Sequence, residues 1–238
     1  ADRIDANERF AADVSHEIKN PLASIQSAVA SAQSAASAEQ QKQMLAIVAQ
    51  DVHRLDRLIT DIARASRIEA ETARGDLEKV NLGQLLFELT RAYAQDDTAR
   101  APVLFKGAKP EDALVWGQSG PLGQVFRNLI DNARSFSPPD GRVFVNVAVI
   151  RGKDGGFVRA TVEDEGPGIP PENLETIFER FYTQRPKGAA FGGNSGLGLS
   201  IARQIVTAHD GAIYAENLDN GGGARLVVEL PLASAVRP

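Results

Sequence analysis

Residues Phe10, Val14, Ile18, Leu22, Ile25 and Val29 are apolar and recur at steps of three or four. That spacing lines one face of an α-helix and cannot line one face of a strand. A second stripe, Met44, Val48, Leu55, Leu58, Ile62 and Ile68, follows at mostly helical steps with a polar interruption at Asp51. Residues 31–38 between them are small and polar, and Ser37 with Gln40 is a capping-box pair that starts the second helix. Two long amphipathic helices joined by a short loop make an antiparallel hairpin. Each apolar face is too wide for one partner to cover, so two hairpins are expected to pair as a four-helix bundle across a two-fold axis.

His16 lies two residues from both Val14 and Ile18 and therefore off the first stripe. A core histidine sits on its helix's apolar face; one that reacts with a large polar substrate sits off it. A neutral imidazole attacks phosphorus when a neighbouring base takes or shares its second proton. Glu17 is the nearest such base, and Asn20, one turn on, carries an amide able to orient a water. Pro21 removes a backbone donor one turn beyond Glu17, so a bend is expected there. A lone histidine would read as a solvated surface residue. A nucleotide site downstream changes that reading. His53 has no motif around it and reads as incidental.

Composition limits the alternatives. A length of 238 residues allows one large domain or two small ones, and 43% hydrophobic residues suffice for real cores. The net charge of −5, with no Lys/Arg cluster, argues against a nucleic-acid partner. There is no cysteine, which excludes disulfides and thiolate metal sites. No apolar run approaches the roughly 18 residues of a membrane-spanning helix. The chain opens in mid-helix without an initiator Met, so a fragment of a longer protein is expected.

Residues 70–79 are polar with a glycine and read as an interdomain linker. Asn81 then caps a helix carrying Leu82, Leu85, Leu86, Leu89 and Tyr93. Strands are expected at 103–105, 113–116, 142–150 and 157–162, the last two forming a hairpin, with further strands near 212–214 and 224–230. Helices are expected over 124–136, about 173–181, and 197–208. Helices segregated from a mostly antiparallel sheet make an α+β sandwich.

Four signals in this second region converge on a nucleotide. Asn128 and Asn132 share a helix face in Asn128-Leu-Ile-Asp-Asn-Ala-Arg-Ser-Phe-Ser137, and an amide oxygen suits Mg²⁺, which binds phosphates through few protein groups. In Glu163-Asp-Glu-Gly-Pro-Gly-Ile-Pro170, Asp164 can accept a hydrogen bond from an adenine amino group, while Gly166 and Gly168 let backbone approach a flat ligand; an acidic turn with glycines is the plainer alternative. Ile177-Phe-Glu-Arg-Phe-Tyr-Thr183 is aromatic-rich, and the glycine-rich stretch after it, 184–196, reads as a mobile lid. Gly196-Leu197-Gly198-Leu199-Ser200 opens a helix whose N–H groups suit phosphate oxygens, without the lysine-serine ending of a P-loop.

His16-Glu-Ile-Lys-Asn-Pro-Leu22 resembles the H-box of sensor histidine kinases, and the four later segments are similar to the N, G1, F and G2 boxes of their ATP-binding domain, the Bergerat or GHKL fold. Five boxes in order span almost the whole chain. The resemblance implies a dimerisation and phosphotransfer domain over 1–70, a linker at 71–79 and a catalytic domain over 80–238. It implies that His16 accepts the γ-phosphoryl group of ATP and passes it to a response-regulator aspartate, with Glu17 and Asn20 at the acid/base and phosphatase positions. Asn132 would bind Mg²⁺, Asn128 would lie in the same box, Asp164 would read adenine, Phe136 would pack near the base, and backbone near Gly196 and Gly198 would hold phosphates. Two departures stand out: Ser135 where many members have a phosphate-contacting Lys, and Thr183 where many have an Arg. Arg185 or Lys187 could supply the missing charge.

Within the family, the segments at 4–21, 54–59 and 181–183 look closest to alphaproteobacterial envelope-stress kinases. That implies a homodimer, the cytoplasmic portion of an inner-membrane sensor whose membrane segments lie outside this chain, and a regulator of the OmpR class. Two rivals remain: an ATPase machine of the same nucleotide fold, and a catalytically impaired scaffold or phosphatase.

Overall fold

The computed structural model describes residues 2–74, 76–95, 100–107, 109–152, 155–182, 196–219 and 222–233. The chain divides into two compact units, one in the N-terminal helices up to Arg64, the other comprising Ala65–Tyr182 and Gly196–Pro238.

The expected hairpin is formed by α1 (Asp2–Gln33) and α2 (Ala38–Arg74), of which the first unit takes the part up to Arg64. At the turn, Ser37 Oγ accepts the Gln40 N–H at 3.3 Å. Gln40 Oε1 accepts in return from Ala36 N–H at 3.2 Å, so the capping box closes one residue earlier than its standard form. The seam buries Pro21, Ala28 and Ala32 from α1 and Leu58 from α2. Val14, Ile18, Ile25, Met44, Val48, Leu55 and Ile62 are half-buried beside them. A second apolar row faces outward. Leu22 (45% exposed) and Val29 (39%) are seven residues apart on α1, and Leu45 (54%), Val52 (50%) and Ile59 (60%) repeat at sevens on α2.

The segment expected to be a linker departs from that reading at both ends. α2 continues through Arg74, because Ala70, Glu71, Ala73 and Arg74 are strong helix formers even without an apolar stripe. Residues 78–81 then form β1 (Glu78–Asn81), which pairs antiparallel with β3 (Leu114–Gly117) and buries Val80. Pairing with a distant strand makes this segment a strand; its local pattern does not.

α3 (Leu82–Ala94) is capped by Asn81, whose Oδ1 accepts Gln84 N–H at 2.8 Å and whose amide donates to Glu111 O at 2.8 Å. The main sheet comprises β2 (Val103–Phe105), β4 (Val143–Gly152), β5 (Gly155–Asp164), β6 (Ala212–Asn217) and β7 (Ala224–Pro231), in the order β2-β4-β5-β7-β6. Only the β2–β4 pair is parallel. α4 (Ser119–Phe136) and α5 (Gly198–Ala208) pack together, and with α3 they bury one sheet face. α4 starts earlier than expected because Pro121, in its first turn, needs no backbone donor there. Residues 173–181, expected as one short helix, form two 3₁₀ turns, Pro171–Asn173 and Thr176–Phe178.

Alternation decides which sheet face is which. Val143, Val145, Val147, Val158, Ala160, Val162, Leu226, Val228 and Leu230 meet the helices, among them Phe126, Leu129 and Ile205. Shortening Phe126 to Ala would cost about 3–5 kcal/mol. The opposite face carries cross-strand ion pairs, Arg159 to Glu229 at 2.7 Å and Arg225 to Glu163 and Glu216 at 2.8 Å each. His209, buried past the end of α5, donates Nδ1–H to Ile205 O at 2.8 Å. Its Nε2 accepts Gln118 N–H at 3.3 Å, which ties the tail of α5 to the head of α4.

Candidate functional site

His16 sits on α1 with its side chain exposed, next to the half-buried Glu17 and Ile18. The helical period that sends Ile18 and Pro21 into the seam turns His16 and Asn20 out to water. Glu17 is held across the hairpin by Arg54 of α2 at 3.1 Å. The acid beside His16 therefore has a cation partner on the other helix, which sequence spacing did not single out.

In the second unit, Asp164 ends β5 at 4% exposure. Its Oδ1 accepts two backbone N–H bonds, from Gly166 at 2.9 Å and from Ala224 of β7 at 3.1 Å. Burial pushes its carboxyl above the ordinary carboxylate range, and the two N–H groups oppose that rise. Among the described residues Oδ2 carries no hydrogen bond, so the carboxyl is oriented with one oxygen left for a ligand. The arrangement suits a donor such as an exocyclic amine.

The glycines around Asp164 are required by the protein's own atoms. A Cβ on Gly166 would lie 2.8 Å from both Asp164 Oδ1 and Phe136 O. The end of α4, where Phe136 is half-buried, thus abuts the turn that follows Asp164. Gly223 has φ +99°, and a Cβ there would be 2.1 Å from Asp164 O. The β6–β7 hairpin sits hard against Asp164.

α4 and α5 meet through Asn128. Its Nδ2 donates to Gly198 O at 2.8 Å, and its Oδ1 accepts from Gln124 Nε2 at 2.7 Å. Asn128 is therefore a strut that sets the start of α5. Asn132 is half-buried one turn further on, and Ser135 Oγ donates to its main-chain carbonyl at 2.9 Å. Gly196 (φ +76°) turns the chain into α5, its carbonyl accepting Phe181 N–H at 2.9 Å, and Leu197 anchors the entry at 1% exposure. Leucine at the N-cap offers no side-chain acceptor to the first-turn N–H groups of Gly198, Leu199 and Ser200, the kind of donor set that takes phosphate oxygens. Among the described residues no group of three His, Cys, Asp or Glu could hold a metal. A single side-chain amide oxygen, as on Asn132, is a donor type that fits Mg²⁺, which keeps most of its ligands as waters and phosphates.

The structure thus brings Asp164, Gly166 and Phe136 together, and Asn128 with Gly198. Arg185, Lys187, Thr183 and the expected lid lie outside the described residues. Sequence reasoning missed Arg54, Gly223, Ala224 and Asn217. The run of glycines at 221–223 was the available signal that a tight hairpin touches something.

Comparison with known proteins assigns both units. Residues 6–71 match the family model described as His Kinase A (phospho-acceptor) domain. Residues 117–234 match the one described as Histidine kinase-, DNA gyrase B-, and HSP90-like ATPase. Sensor protein ChvG of Rhizobium meliloti (strain 1021) is 47% identical over 241 residues, covering 97% of this chain and 41% of that protein. The chain therefore spans less than half the length of this relative. Full-length ShkA in complex with AMPPNP superposes with a TM-score of 0.60 at 27% identity, over 97% of this chain and 47% of that one. Histidine kinase ThkA in complex with response regulator protein TrrA superposes with a TM-score of 0.70 at 25% identity, over 99% of this chain and 65% of that one.

Proposed function

This chain belongs to the sensor histidine kinases, and from that premise we propose that it phosphorylates His16 from ATP and passes the phosphoryl group to an aspartate of a response regulator. The observation that carries the reading is His16 itself, exposed and off the packing seam inside the phospho-acceptor match at 6–71.

The chemistry follows from these side chains. A neutral ring nitrogen of His16 attacks the γ-phosphorus, the bond to the β–γ bridging oxygen breaks, and ADP leaves. The ring's other N–H proton is shared with or lost to Glu17, which Arg54 holds in place. In the second transfer the regulator's carboxylate attacks the same phosphorus, the N–P bond breaks and the imidazole recovers its proton. Both steps need positioning and charge neutralisation more than covalent assistance. Asp164 selects the base through Oδ2, Phe136 packs beside it, and the α5 N-terminus takes phosphate oxygens. Asn132 would hold Mg²⁺, which when bound neutralises phosphate charge. Arg185 or Lys187 supplies the cation that Ser135 does not. Turnover unchanged in both Arg185→Ala and Lys187→Ala would remove that assignment. Asn20, exposed one turn beyond His16, orients water for hydrolysis of the regulator's phosphoaspartate.

On this reading the phosphotransfer hairpin ends with α2 at Arg74 and the catalytic domain begins with β1 at Glu78, in place of the expected bounds at 70 and 80. The outward rows at seven-residue spacing support a homodimer through the hairpin, since heptad apolar rows seek a second helix pair. The likeness to the ThkA complex supports a response-regulator partner, here of the OmpR class. Among the described residues no helix is long and apolar enough to cross a membrane, and the reading places the chain as the cytoplasmic portion of an inner-membrane sensor.

The test is incubation with γ-labelled ATP and Mg²⁺. An acid-labile, base-stable label, absent in His16→Ala, is the expected result. A label that persists in His16→Ala moves the acceptor elsewhere; tight nucleotide binding without any label favours a scaffold or phosphatase.

A further inference from the structure

β6 ends at Asn217, and its carboxamide is bonded twice to one residue of a different segment. Asn217 Oδ1 accepts Ile169 N–H at 2.7 Å, and Asn217 Nδ2 donates to Ile169 O at 2.7 Å. Only one orientation of the amide satisfies both bonds, so the side chain acts as a rung of a β-ladder for a turn that has no strand partner. Gly168, the residue before Ile169, has φ +78°, and a Cβ there would lie 2.9 Å from Asn217 Oδ1. The clamp therefore accounts for that glycine. At the same end of the hairpin, Leu218 N–H donates to Gly223 O at 3.1 Å and closes the turn, and Ala224 of β7 stands directly across from Asn217. Ala224 N–H then reaches Asp164 Oδ1 at 3.1 Å. One end of the hairpin thus holds the chain before and within the turn at 166–170, through Ala224 on Asp164 and Asn217 on Ile169.

We propose that Asn217 is a positioning residue for nucleotide binding: its two hydrogen bonds to Ile169 hold the turn at 166–170 so that Asp164 meets the base in a preset orientation. This rests on the reading of Asp164 as the group that receives the base. Asn217 is exposed, so removing its bonds costs the core little; the loss falls on the geometry of the turn, where preorganisation governs affinity.

The experiment titrates the chain calorimetrically with ADP and with GDP in Mg²⁺, and records thermal unfolding, for wild type, Asn217→Ala, Asn217→Asp and Asp164→Asn. Asn217→Ala is expected to weaken ADP about three- to tenfold and to narrow the preference for adenine over guanine, with little change in unfolding temperature. Asn217→Asp keeps an acceptor for Ile169 N–H but loses the donor to Ile169 O, and should fall between. If Asn217→Ala binds both nucleotides as wild type does while Asp164→Asn loses the preference, Asn217 has no such role and Asp164 keeps its own. A lowered unfolding temperature with an unchanged preference makes Asn217 merely structural and overturns the proposal. If Asp164→Asn binds ADP like wild type, the base reading itself falls and the proposal falls with it.

Discussion

His16 stands in water on the flank of a two-helix seam, whereas Asp164 is 4% exposed beneath a turn gripped by a hairpin. In the roles proposed for them, the two side chains face opposite demands. An acceptor that takes a phosphoryl group from one large molecule and gives it to another has to be reachable from outside. A carboxylate that reads a base has to be dry and fixed before the base arrives, because water and rotamer freedom both erode selectivity. The hairpin accordingly spends its apolar residues on a thin seam and an outward row, while the α/β unit closes a full core around α4.

The largest test of this contrast is on the outward row. Val52→Glu with Ile59→Glu places charges where an apolar partner is expected, at a cost on the order of several kcal/mol per buried ion. Light scattering should show the assembly reduced to monomers while ADP binding by the α/β unit stays intact. An unchanged mass would mean that the row is not the interface.

Gly223→Ala should act on the other region alone. Its Cβ would fall 2.1 Å from Asp164 O at φ +99°, and strain with overpacking should destabilise the α/β unit by about 2–4 kcal/mol. Thermal unfolding checks this, and a transition left in place contradicts the tight packing described above.

A smaller effect separates function from stability. The folded carboxyl of Asp164 holds its proton more tightly than the unfolded one, whose ordinary value is 3.8. The native state thus binds more protons just above that pH, and stability from this group declines as pH rises through the folded value. Asp164→Asn has no such term and its amide oxygen can still accept both N–H groups. The variant's unfolding temperature should gain on wild type as pH rises from about 4 and then level off, even as base selectivity is lost. A gap that shrinks with rising pH would reverse the sign of the burial effect.

The smallest stability change belongs to Arg54→Ala. A partly exposed ion pair contributes about 0–1 kcal/mol, so unfolding should barely move, yet the rate of His16 labelling should change because Glu17 loses its hold. Equal labelling rates would make the Arg54–Glu17 pair incidental.

Much of this molecule was legible in the chain because its elements announce themselves locally. Helical periodicity placed α1 and α2, the Ser37–Gln40 pair placed their turn, and Asn81 placed the start of α3. β-branched runs placed β4 and β5. The same reasoning failed at residues 78–79, read as linker although they belong to a strand that exists only through β3, and at 71–74, which lack an apolar stripe but keep good helix formers. His209 was passed over because its two hydrogen bonds go to backbone on α5 and before α4, neither of which a motif marks.

By itself the sequence determined that a presented histidine on a long helical hairpin precedes an α+β unit with an Asn pair, an Asp-x-Gly-x-Gly turn and a glycine-led helix, since residue type and spacing carry those features directly. Only the tertiary structure decided how they are held. Asn128 became a strut to Gly198, Glu17 became Arg54's partner, and the glycines at 166, 168 and 223 proved to make room for Asp164, Phe136 and Asn217. The reason is physical: a hydrogen bond between residues 48 or 60 apart, such as Ile169 with Asn217 or Ala224 with Asp164, has no local signature, because the fold alone brings its two ends together.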